Sequence, residues 1–177
     1  WIGSKYGLDY AGTFSLLAWR YLLVVLVLLV LVTAFKAWRK MKWPVAAAHL
    51  LVGVLSHAVY LSTSLSAMDL GVSVGMVAFV LALQPMFTAV ISAPLTGEAT
   101  SPRQWTGLAL GLLSVVIVVG DRLSLGGSAF AYSLLLLSTL AITLGSLICR
   151  RMELNSQKSS KAELPILLML LIHCTGA

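Results

Sequence analysis

The chain has 177 residues, 59% apolar and only 10% charged, with a net charge of +6 at neutral pH. Soluble domains carry roughly 45–50% apolar and about 25% charged residues, so this composition excludes an ordinary water-soluble enzyme, a disordered tail and a disulfide scaffold. The basic residues fall between apolar runs rather than along one face, which points to membrane topology and away from nucleic acid.

Taken in chain order, residues 1–6 read as the tail of one span, and five apolar runs follow at 13–35, 45–65, 72–95, 104–119 and 128–149. A span needs about 20 apolar residues for a hydrocarbon core of roughly 30 Å, so the run at 104–119 is short and is expected to cross with little tilt. Residues 164–177 open one more apolar run. With Trp1 in first place and an apolar run at the end, the chain is expected to be a fragment, from the end of span one to the start of span seven. Backbone groups in lipid must be satisfied within a helix or a closed barrel, and runs of this length exclude barrel strands of about 9–11 residues. The expected fold is therefore an all-α integral membrane protein, a helical bundle with short connections.

The loops set the orientation. Lys36, Arg39, Lys40, Lys42, Arg103, Arg150, Arg151, Lys158 and Lys161 fall on one side, Lys5 and Arg122 on the other, and Arg20 inside a run. The positive-inside bias puts loops 36–42, 96–103 and 150–163 in the cytoplasm. Ser101-Pro102-Arg103-Gln104 reads as a helix start, with Ser101 as N-cap, Pro102 first in the helix and Gln104 closing a capping box. Pro44 heads its span by the same first-turn rule.

Polar residues recur at helical spacing in three runs. They are His49, Gly53, Ser56, His57, Tyr60 and Ser64 in the second, Ser73, Gln84, Thr88 and Ser92 in the third, and Tyr132, Thr139, Thr143 and Ser146 in the fifth. Two readings stand: hydroxyls that pack helices together, and side chains that line a cavity. The run at 104–119 has little besides Thr106 and Ser114 and is expected at the periphery. Pro85 removes a backbone donor and frees the carbonyl of Leu81, so its helix should kink, either as a packing feature or as a bent midplane helix that offers groups to a substrate. Beside it, the Gln84 amide both donates and accepts. Arg20, between Trp19 and Tyr21, either snorkels to the outer interface or attracts an anionic group. His57 either packs and hydrogen-bonds or carries a proton. Gly71-x-x-x-Gly75 and Gly107-x-x-x-Gly111 allow close packing within the bundle or in a homodimer.

Several features together resemble the drug/metabolite transporter superfamily in its EamA-like branch. They are Trp1 at the end of the first span, Arg20 within Ala-Trp-Arg-Tyr-Leu-Leu, and the stretch Leu83-Gln84-Pro85-Met86-Phe87-Thr88. Thr96-Gly97-Glu98 and Arg103-Gln104-Trp105-Thr106-Gly107 complete the pattern. Gly12 and Thr13 stand where the family often has Pro, and Ser114 where it often has Gly. The resemblance implies inverted five-span repeats, with residues 1–119 the first repeat and 120–177 the start of a second. It also implies a central cavity on the first, third and fourth spans of each repeat. His57, Tyr60, Gln84, Pro85, Thr88, Tyr132, Thr139 and Arg20 are the candidate substrate-binding or cavity-lining residues.

The expected function is secondary transport of a small metabolite (amino acid, sugar derivative or drug-like compound) by alternating access, across a bacterial-type inner membrane. A structural or signalling membrane subunit is the alternative. An enzyme is not expected: there is no nucleophile elbow, no HExxH and no carboxylate pair, and His49 and His57 are too far apart for a zinc motif. Neither cofactor nor metal is expected. The partners are a small-molecule substrate and the lipid bilayer.

Overall fold

The computed structural model describes residues 2–40, 42–96, 101–124, 128–158 and 166–177. Among these residues every regular element is helical: α1 (Ile2–Leu8), α2 (Thr13–Ala34), α3 (Trp43–Gly53), a π-turn (Val54–Val59) and α4 (Tyr60–Asp69). The order continues with α5 (Val74–Leu81), α6 (Gln84–Thr96), α7 (Pro102–Ser124), α8 (Ala129–Lys158) and α9 (Ile166–Thr175). Four helical stretches are long and apolar enough to cross a membrane: Thr13–Ala34, Trp43–Asp69, Val74–Ser92 and Ala129–Leu154. The run expected at 104–119 is also helical, but its apolar part, Pro102–Val118, is shorter. At 1.5 Å per residue it covers about 25 Å, less than a full hydrocarbon core.

The helix ends follow from local chemistry. The backbone N–H of Ser101 donates to Gln104 Oε1 at 2.7 Å, and that of Gln104 donates to Ser101 Oγ at 3.3 Å, which is the expected capping box. Pro44 lies in the first turn of α3. Ser73 Oγ accepts from the Met76 N–H at 3.3 Å, so this member of the expected stripe is instead the N-cap of α5. Between α4 and α5 the chain reverses through Gly71, whose φ of 94° is a left-handed conformation that glycine takes without steric cost.

Two neighbouring spans leave α geometry near mid-length. In the stretch Val74–Ser92 the helix stops at Leu81 and restarts at Gln84. The N–H of Leu83 turns to Val80 at 3.1 Å, three residues back, and those of Met86 and Phe87 both reach Leu83 at 2.9 and 3.1 Å. Pro85 has no N–H to give Leu81, so the expected kink is realised as a break at Ala82–Leu83. In Trp43–Asp69 the widening is the π-turn, where the Tyr60 N–H reaches the Leu55 carbonyl, five residues back. Immediately after it, Ser62, Thr63 and Ser64 each donate a hydroxyl to the carbonyl four residues earlier, at 2.6, 2.7 and 2.7 Å. Such back-bonding competes with the helical ladder and bends it.

The core gathers around α8, which packs against α3, the π-turn, α4, α5 and α6. Leu17 of α2, Leu61, Leu65 and Met68 of α4, Val77 and Val80 of α5, and Leu135 of α8 form the main buried cluster. A second cluster joins Leu28 and Val32 of α2 to Leu168, Leu171 and Cys174 of α9. The rest of α2 is uncovered: Leu22, Leu23, Leu26, Val27 and Val30 are exposed. A bare aliphatic face on a 22-residue helix about 33 Å long fits lipid rather than water. Trp105, Leu110, Leu112, Leu113, Val116 and Ile117 of α7 are exposed too, so that helix lies at the periphery, touching α6 where Gly111 meets Met86.

Candidate functional site

The expected polar face of the third span assumed a constant 3.6 residues per turn. The π-turn breaks that register and deals the same residues to three neighbours. His49 and Gly53 turn to α9, where His49 Nδ1 lies 3.0 Å from His173 Nε2 and Gly53 abuts the His173 carbonyl. Ser56 meets Gly145 of α8. His57 meets Tyr21 of α2 edge to face, with ring centroids 5.6 Å apart at 65°. Past the turn, Ser64 returns to α8, where its hydroxyl, donating to the Tyr60 carbonyl, accepts from Ser138, whose Oγ also lies 2.9 Å from that carbonyl and shares its proton with it.

Three of the candidate residues come together beside a cleft of about 300 Å³. Its walls are Phe14, Leu17, Ala18 and Tyr21 of α2, Ala58, Val59 and Ser62 across the π-turn, and Ala177. Tyr21 is the hinge of the group: it lines the cleft, touches His57 and lies next in sequence to Arg20. The exposed Arg20 guanidinium is close enough for its charge to act on Tyr21, His57 and Tyr60. The cleft walls are mostly apolar, and its polar groups are a phenol, a serine hydroxyl and, one layer out, an imidazole and a cation.

Gln84, Pro85 and Thr88 form a second locus at the break in the fourth span. Gln84 is half-buried, Pro85 is exposed, and the Thr88 hydroxyl donates to the Gln84 carbonyl at 2.8 Å. Tyr132 packs against the main apolar cluster from the first turn of α8. Thr139 is fully buried, its hydroxyl donating to Leu135 O at 2.9 Å, and Thr143 repeats the pattern one turn on at 2.7 Å. The eight candidates thus fall into the cleft group, the break, and the helix-packing face of α8.

Sequence reasoning missed two participants. Tyr21 reads as an interfacial aromatic beside Arg20, and only the approach of the π-turn makes it a cleft residue. His173 lies in a run too short to assign a face. Among the described residues no group of three or more His, Cys, Asp or Glu is placed to hold a metal ion. Gly97 and Glu98 of the motif, and Trp1, lie outside the described residues.

A search of curated proteins and a search of solved structures each gave no match. The family model of the EamA-like transporter family, however, matches residues 1–120, the part that carries the broken fourth span and the cleft group, and the chain belongs to that family.

Proposed function

We propose that this permease moves a small metabolite by alternating access, with the cleft group and the broken helix as its substrate-handling parts. One observation carries the reading. Two adjacent spans depart from α-helical hydrogen bonding near mid-length, at the π-turn and at Ala82–Leu83. Broken helices near the midplane free backbone groups for a substrate, and π-turns recur at functional sites. The side chains beside these irregularities are those expected of a binding site: Tyr60 and His57 at one, Gln84 and Thr88 at the other. Residues 1–119 then serve as the first repeat and residue 120 onward as the start of the second, with loops 36–42, 96–103 and 150–163 on the cytoplasmic side of an inner membrane.

The test is counterflow with the protein in proteoliposomes, using pooled amino acids, sugars and amphipathic amines. Saturable exchange is expected, falling about tenfold in Gln84→Ala, which corresponds to about 1.4 kcal/mol. An effect confined to Arg20→Ala would shift the site to the cleft and the substrate to an anion. Absence of exchange across the panel from folded protein would favour the non-transporting subunit.

A further inference from the structure

The contact between α3 and α9 contains an unusual pair. His49 is 4% exposed, and its Nδ1 stands 3.0 Å from Nε2 of His173, with ring centroids 5.2 Å apart and planes tilted by 40°. At that distance one ring must donate an N–H and the other must accept, so one inner nitrogen is protonated and the other bare. Each neutral imidazole carries one N–H. The ring that donates inward therefore has a bare outer nitrogen, and the ring that accepts has a protonated one. The bare outer nitrogen is open to one further proton, and the cation that results keeps the inner N–H···N bridge and spreads its charge over both rings. A second proton would put N–H groups on both inner nitrogens. Two donors and two positive charges would then face each other, and the bridge would break.

We propose that His49 and His173 form a proton-binding site between α3 and α9, holding one shared proton and losing their contact on taking a second. Titratable and charged groups of both signs stand on the elements around the pair. The π-turn brings His57, whose charge bears on His173, and α2 brings Tyr21 and the Arg20 cation. Cys174 follows on α9 itself. From α8, which also packs on α3, come Cys149, Arg150 and Glu153, with the Cys149 thiol donating to Glu153 Oε1 at 3.9 Å. The packing makes the bridge consequential: Gly53 abuts the His173 carbonyl, and a Cβ on Gly176 would come within 2.7 Å of the Leu50 carbonyl. Loss of the bridge lets α9 part from α3 at its closest approach. As a coupling device for transport, this site rests on the transport reading above. As a proton site it does not.

The experiment is therefore one that needs no substrate: nitrogen NMR of the full-length protein, with imidazole-labelled histidine, in lipid nanodiscs across a pH series. A bridge proton coupled to nitrogens of both His49 and His173 is expected in the neutral pair. Two protonation steps separated by tenfold or more in proton affinity are expected as the pH falls. In His173→Gln the split should vanish and His49 should titrate in a single step, with His49→Gln as the reciprocal variant. The bridge coupling is read in unaltered protein, so it stands even if a variant fails to fold. Absence of that coupling, or one unsplit step for both histidines, overturns the proposal. A failed counterflow assay leaves this result untouched.

Discussion

Gly53 and Gly145 hold the bundle closed at single-atom resolution. A methyl group at Gly53 would run into the His173 backbone carbonyl, and one at Gly145 into the Ser56 hydroxyl. A backbone carbonyl cannot swing aside as a flexible side chain can, so Gly53→Ala should lower unfolding stability in bicelles by about 1–3 kcal/mol, the usual cost of overpacking. Gly107→Ala is the matched control, because nothing lies within 4 Å of a Cβ there. It should leave the unfolding midpoint of the monomer unchanged or raise it, because alanine is the better helix former. A loss of cross-linked dimer in Gly107→Ala would place the Gly107 face in a homodimer. The two sequence motifs of paired glycines gave no warning of this division. Gly71 serves a turn, Gly75 and Gly107 face open space, and of these four only Gly111 meets a neighbour, the flexible Met86 side chain, while Gly53 and Gly145 belong to no such motif. Spacing alone reports which glycines share a face, and the neighbour across that face decides whether they matter.

At the scale of the element, what proline dictates was readable and what hydrogen-bond register dictates was not. The capping box at Ser101, the proline start of α3 and the break before Gln84 all follow from side chains whose chemistry is fixed locally. The π-turn has no such signature. Val-Leu-Ser-His-Ala-Val is an ordinary helical sequence, and its widening accompanies packing of the third span against α8 and α9, partners far along the chain. The residues of the expected stripe therefore face three different helices rather than one common interior. The break makes a prediction of its own. Pro85→Ala restores a donor for the Leu81 carbonyl, so amide exchange across residues 81–86 should slow. Stability should hold or rise, while counterflow should fall about tenfold if bending of this span belongs to the transport cycle. Unchanged exchange kinetics of the amides would mean that the break is set by packing against α8.

At the scale of the whole molecule, the bilayer supplies the partner that the chain lacks. The exposed aliphatic faces of α2 and α7 match lipid, and the distribution of lysine and arginine predicts which way the bundle sits in it. Cysteines placed at Lys40 and Lys158, in a background without Cys149 and Cys174, should be labelled only from the cytoplasmic side. Cysteines at Lys5 and Arg122 should be labelled only from outside; the reverse pattern would invert the topology. The helical class and the four long apolar helices were legible because composition and run length alone decide them, whereas the docking of α9 between α2 and α3 was not. The reversal at Gly71 bears on how such a bundle is made. Its turn is closed by the Gly71 N–H to Met68 and the Val72 N–H to Ala67, at 3.0 and 3.1 Å, with Ser73 capping the helix that follows. Every contact in that closure lies within ten residues. The third and fourth spans can thus turn back on each other as they leave the ribosome and enter the membrane as a pair, before α8 has been synthesised.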